Sequence, residues 1–247
     1  DIVLTNDNFA SIVAAIEEGR RVYDNLIKSL AFILPTNIGL AIIMLVAVAF
    51  FPITNGIPLL PVLPTQILWI NLVAAITLAL PLAFEVAEPN IITRPPRRPT
   101  EPILSKFIIF RTFFVAILMS IFAVGVFLWQ YTSDISKGIN IDIAISQAQT
   151  MAVTTIIFFQ ICYVINCRSL KDPISKIGWW SNPTIYFGIG VLLMLQMGFI
   201  YLPFMQMLFK TTALSWNYLA VSIIVAFVIG IIISLEKKLI RLRERSK

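Results

Sequence analysis

Neutral oxygen donors stand inside long apolar stretches of this 247-residue chain: Thr36 and Asn37, Asn71, Thr77, and a later group of Thr154, Thr155 and Gln160. Amide and hydroxyl oxygens can replace part of a cation's hydration shell. They can also tie neighbouring helices together, at roughly 0.6–2 kcal/mol per contact in membranes. Neither role needs an ionised side chain, and none is present at depth. The nearest acid, Glu85, ends its apolar stretch. A hard divalent ion such as Ca²⁺ normally takes about six to eight oxygens, several of them carboxylate, so these positions alone suit a weaker demand. Histidine is absent, which excludes a His-ligated zinc site and a His-based triad. Cys162 and Cys167 lie five apart on one expected helix, about 140° from each other around its axis, and read as packing thiols. No residue set marks a metal centre with certainty.

The elements that must position these donors are membrane helices. Hydrophobic residues make up 58% of the chain and charged residues 13%, with a mean hydropathy of +0.88. Soluble domains carry about 25% charge. A helix crosses the hydrocarbon core in roughly 20 apolar residues. Six such spans follow: Leu26–Phe51, Leu59–Phe84, Phe107–Tyr131, Gln147–Ile165, Thr184–Phe204 and Tyr218–Leu235. Their continuous runs lack the alternation of barrel strands. The expected fold is an all-α, polytopic six-helix membrane bundle.

Charge gives the orientation. Arg94, Arg97, Arg98 and Lys106 follow span two. Arg168, Lys171 and Lys176 follow span four, and a run of lysines and arginines follows span six. The alternate loops are nearly bare. Basic loops stay cytoplasmic, so both termini are expected inside, in a plasma (inner) membrane. Residues 1–25 form a cytoplasmic stalk: Phe9, Ile12, Val13, Ile16 and Val22 share a helical face opposite Glu17, Glu18, Arg20 and Arg21. Asn8 is its expected N-cap. The stalk runs on into span one as a rod able to carry force into the bilayer.

Two adjacent spans are punctuated at mid-depth. Span one has Pro35, Thr36, Asn37 and Gly39; span two has Asn71 and, about three turns later, Pro81. Both are expected to break there. Freed carbonyls in lipid persist only where protein or a water-filled cavity meets them, and broken neighbouring helices point to a midplane binding site. The amides are expected at those bends, facing protein rather than lipid.

These motifs resemble a known family. DIVLTNDNFASIVAAIEEGRRVYDNL resembles the segment of cation-transporting P-type ATPases that leaves the phosphorylation domain and becomes the fifth transmembrane helix. LPTNIG, LPTQILWINLV and EPNIITRPPRRPTEPILS match that helix, the sixth helix and the loop after it, in order. The last four spans fit helices seven to ten, on hydropathy more than motif. The calcium and sodium-potassium pump-like branch is the nearest in pattern.

The resemblance implies a C-terminal fragment, with residues 1–25 ending the phosphorylation domain and stalk and 26–247 forming the membrane domain. It implies partners upstream: actuator, nucleotide-binding and phosphorylation domains that handle ATP and Mg²⁺. This chain would hold no cofactor and no catalytic residue, and no nucleic-acid partner is expected. Arg94, Arg97 and Arg98 would couple the membrane to those domains. The family's ion ligands fall on Asn37, Asn71 and Gln160, with Thr36 and Thr77 beside them. Its acidic ligands fall on Leu40, Ala75 and Gln160, and a threonine ligand, grouped with those positions, falls on Ala74; all four are uncharged here. The implied function is the ion-translocating half of an ATP-driven cation pump. The alternatives are a non-transporting remnant or structural module without acidic ligands, and an unrelated six-span channel or secondary transporter.

Overall fold

Removing one amide from a helix frees one carbonyl, and the first element shows how this chain deals with that. The structure, a computed structural model, describes residues 9–54, 57–88, 91–96, 102–170 and 172–245, so Asn8 lies outside the described residues. Helix α1 spans Phe9–Phe50 without interruption, Pro35 included. Pro35 cannot donate to the Ala31 carbonyl. Tyr163 Oη, from a distant helix, donates to that oxygen at 2.8 Å. A buried carbonyl left unpaired costs about 1–3 kcal/mol, so the tyrosine offsets the defect. The expected break at Pro35 is therefore absent.

The second span does lose its regular winding. After a two-residue ribbon, β1 (Ile53–Thr54) against β2 (Ile57–Pro58), helix α2 covers Pro64–Ala74. Pro64 opens it where a missing amide is harmless, and the Gln66 side chain accepts from the Leu63 amide at 3.0 Å. A π-helical turn, Ala75–Ala79, follows, and then the single turn α3, Leu80–Leu82. The span starts at Pro64, later than the hydropathy edge at Leu59.

Side-chain caps start several of the remaining helices. Ser105 caps α4 (Lys106–Ser136) and Asn140 caps α5 (Ile141–Cys167). A short α6 (Ile174–Ile177) and a 3₁₀ turn lead to α7 (Pro183–Tyr201), capped by Asn182. Helix α8 (Pro203–Phe209) ends at Lys210 in the left-handed region, and α9 covers Trp216–Arg245. Among the described residues, six helices are long and apolar enough to cross a membrane. Each overlaps one of the six expected spans, with ends that differ by several residues.

Helix α5 is the axis of the bundle. Every residue from Ala148 to Ile157 is buried. It packs between α4 and α9 and also touches α1, α2 and α7. Helix α1 lies along α4, where Ser120 Oγ donates to the Gly39 carbonyl at 2.9 Å. A Cβ on Gly39 would stand 2.3 Å from Met119 Cε and 3.2 Å from the Ala116 carbonyl oxygen. The glycine thus serves close helix approach rather than flexibility. Outward positions such as Leu45, Phe113, Phe187, Met194 and Phe227 are exposed, as a lipid-facing surface requires.

Candidate ion pathway and the clamp at the end of span two

The π-turn sits between Asn71 and Pro81, and the proline accounts for its geometry. Pro81 has no amide for the Thr77 carbonyl, and the Leu80 amide reaches back five residues to Ala75. Turns of this kind recur at functional sites. Helix α7 closes against the loosened backbone through Gly188. A Cβ built there would lie 1.9 Å from the Thr77 carbonyl oxygen and 3.3 Å from Pro81 Cγ. Only a residue without a side chain fits at that position.

The donors named from sequence are not gathered into one enclosed cluster. Thr36 is buried, and its hydroxyl donates to the Ile33 carbonyl at 2.8 Å. Thr77 is buried and bonds Val73 O at 2.6 Å. Both hydroxyls keep acceptor capacity. Asn37 lies on an exposed face of α1, its amide turned back to the Ile33 carbonyl at 3.2 Å. The expectation that it faces protein is not met within these six helices: it points out of the bundle. Asn71 is half-buried. Gln160 is buried on α5, and its Oε1 has no hydrogen-bond partner among the described residues. At the positions where carboxylates would strengthen a cation site, Leu40 and Ala74 are buried and Ala75 is exposed.

A second polar chain was not anticipated. Trp69 Nε1 donates to Gln196 Oε1 at 3.4 Å, and Gln196 Nε2 donates to Thr154 Oγ1 at 3.2 Å. Thr154 in turn bonds Thr150 O at 2.7 Å, and Thr150 Oγ1 accepts from the Thr212 amide at 3.0 Å. Gln196 is fully buried on α7. The signal was a lone glutamine in an apolar span.

The C-terminal end of the second span is held by a buried ion pair. Arg168 donates through Nε and Nη2 to the two oxygens of Glu85, each at 3.0 Å, and both side chains are fully buried. Arg168 also bonds the carbonyls of Trp179 and Gly178 and the Ser181 hydroxyl. Asn182 Nδ2 reaches Glu85 Oε2 and Pro81 O, each at 3.1 Å. Asn25 of α1 donates to the Ala83 and Glu85 carbonyls at 3.1 and 2.8 Å. Sequence reading counted Arg168 only as one basic loop residue.

Below that knot the stalk and the following loop grip each other. Arg20 Nη1 donates to the carbonyls of Ile91 and Arg94, each at 2.8 Å. Arg94 answers with bonds to Asp24 at 2.7 Å and Glu88 at 2.5 Å. Lys28, buried, lies 3.7 Å from Glu88. Arg97 and Arg98 lie outside the described residues. The stalk's apolar face, with Phe9, Val13, Ile16 and Val22, is exposed.

A polytopic helix bundle, with an interrupted second span and its first helix locked to the following loop, has the architecture of a membrane domain. Residues 59–239 match the family described as "Cation transporting ATPase, C-terminus", and the chain belongs to that family. It is 38% identical over 243 residues to "Probable cation-transporting ATPase F" of Mycobacterium tuberculosis, covering 98% of this chain and 25% of that protein. It is 37% identical over 231 residues to "Cation-transporting ATPase pma1" of Synechocystis, covering 91% and 24%. It is 33% identical over 251 residues to "Calcium-transporting ATPase 1" of Bacillus cereus, covering 96% and 27%. The chain spans about a quarter of the length of these relatives.

Proposed function

We propose that this chain is the ion-translocating membrane half of an ATP-driven cation pump, with residues 1–25 as the stalk and 26–247 as the membrane domain. Upstream actuator, nucleotide-binding and phosphorylation domains supply the ATP and Mg²⁺ chemistry, as the longer relatives' lengths allow. Both termini face the cytoplasm across an inner (plasma) membrane, in keeping with the basic loops.

The observation that carries the coupling is the reciprocal grip of Arg20 on the loop carbonyls and of Arg94 on Asp24. With Asn25 bound to the end of span two, a displacement of the stalk is passed to α3 and the π-turn rather than absorbed by a loose loop. Arg97 and Arg98 follow in the sequence of the same basic loop and are proposed as contacts for the upstream domains. The ion path runs by Asn37, Asn71, Gln160, Thr36 and Thr77. Asn37 stands on a face left uncovered in this bundle and Asn71 on one only partly covered, and upstream membrane helices complete them. The unpaired Gln160 oxygen supports an occupant beside it, since a buried acceptor left unmet costs about 1–3 kcal/mol. Neutral donors favour a monovalent or organic cation, or carboxylates contributed by the upstream helices.

The Arg20→Gln and Arg94→Gln variants of the complete gene product test the coupling. Each is expected to lower ion-stimulated ATP hydrolysis about fivefold, a coupling of roughly 1 kcal/mol, with ion affinity in phosphorylation assays unchanged. Hydrolysis at the parental rate in both variants would count against it. The second reading, a structural module that no longer transports, is favoured by Leu40, Ala74 and Ala75. An ion-independent gene product would support that one instead.

A further inference from the structure

The basic tail after span six enters a defined cavity. Lys237, Lys238 and Arg241, near the end of α9, line a space of about 400 Å³ together with Asn166 at the end of α5 and Trp179. Ile165, Pro173 and Ile174 form its apolar wall. Ligand cavities run from roughly 300 to 1,000 Å³. No lining residue is acidic. Lys237 is anchored by donating to the Asn166 and Ser169 carbonyls, which fixes its ammonium at the rim. Arg241 Nε is buried with no hydrogen-bond partner among the described residues. Lys238 is exposed at the mouth.

We infer that this cavity binds a phosphate-bearing anion, and that its source is the headgroup of an anionic phospholipid. The cavity lies where the apolar part of α9 gives way to charge, which is headgroup depth. Its cationic side matches a phosphodiester, its apolar wall matches the first acyl carbons, and Trp179 is the kind of ring that settles at the interface. Basic pockets between membrane helices recognise anionic headgroups in this way. The site lies apart from the mid-depth donors and does not depend on transport.

The complete gene product is placed in nanodiscs of phosphatidylcholine with or without phosphatidylglycerol. Lipid retained after extraction is counted by native mass spectrometry, and thermal unfolding is followed in parallel. The comparison variant is Lys238→Gln with Arg241→Gln, which leaves the anchored Lys237 in place. The parent is expected to retain phosphatidylglycerol and to be stabilised by it. The variant is expected to bind that lipid about thirtyfold more weakly, as two basic contacts at the headgroup imply, while unfolding at the parent's temperature in pure phosphatidylcholine. Equal retention of phosphatidylglycerol by parent and variant would overturn the site. Stabilisation by inorganic phosphate alone, matching that by phosphatidylglycerol, would overturn the lipid source. A variant already unfolded in phosphatidylcholine would assign these cations to the fold and likewise overturn the proposal.

Discussion

Gly188→Ala is expected to destabilise the membrane domain by about 3 kcal/mol, the upper end for overpacking a closed interface. The added carbon would occupy a point 1.9 Å from the Thr77 carbonyl oxygen, inside any tolerable contact. The obstacle is backbone, which cannot rotate away as a side-chain end would. It is also backbone already loosened by Pro81, so relief requires α7 to retreat from the π-turn or the turn to rewind. Either change would disturb the region around Asn71. Thermal unfolding in detergent and the folded yield measure the cost. By contrast, Gly190→Ala meets nothing within 4 Å and is expected to be near neutral. A Gly188→Ala protein as stable as its parent would show that α7 does not press on the second span.

Arg168→Met is expected to cost about 3–5 kcal/mol, because it strips the partner from a carboxylate that is fully buried. Among the described residues Glu85 would keep only the Asn182 amide on its carboxylate, and the Gly178 and Trp179 carbonyls would lose a donor. Pairing Arg168→Met with Glu85→Met removes both charges. It should recover more than half of the loss, since a buried ion pair replaced by apolar groups is often near neutral. Arg168→Lys keeps the charge without the two-pronged geometry and should fall between them. A double-mutant cycle on unfolding free energy gives the coupling directly. Additive single effects would mean that the pair is a bystander to the packing of α7 and the end of span two.

The six spans were legible because each is a long continuous apolar run, a signal that depends on composition alone. Their ends were less so. Span two starts at Pro64 because the proline and the Gln66 side chain make a helix start, a local cap that hydropathy overlooks. Pro35 and Pro81 were correctly singled out as defects, yet their outcomes diverge. One carbonyl finds Tyr163 across the bundle; the other is packed under Gly188. Those partners lie 132 and 111 positions away in sequence, beyond any local pattern. Asn37 shows another boundary. Helical periodicity places it on a face but does not say which neighbour covers that face, and here none of the six helices does. Arg168 was hidden because a basic residue at a span's end has an ordinary explanation in topology, whereas its burial arises only when α7 and Glu85 close around it.

The central claim is that the side-chain amides of Asn37 and Asn71, in spans one and two, belong to an ion path. The most direct measurement is the ion dependence of phosphoenzyme formation by the complete gene product carrying Asn37→Ala or Asn71→Ala. At least one variant should need about tenfold more of the activating ion, a loss of roughly 1.4 kcal/mol, at parental protein yield. An unchanged ion dependence in both would remove these residues from the path and contradict the account.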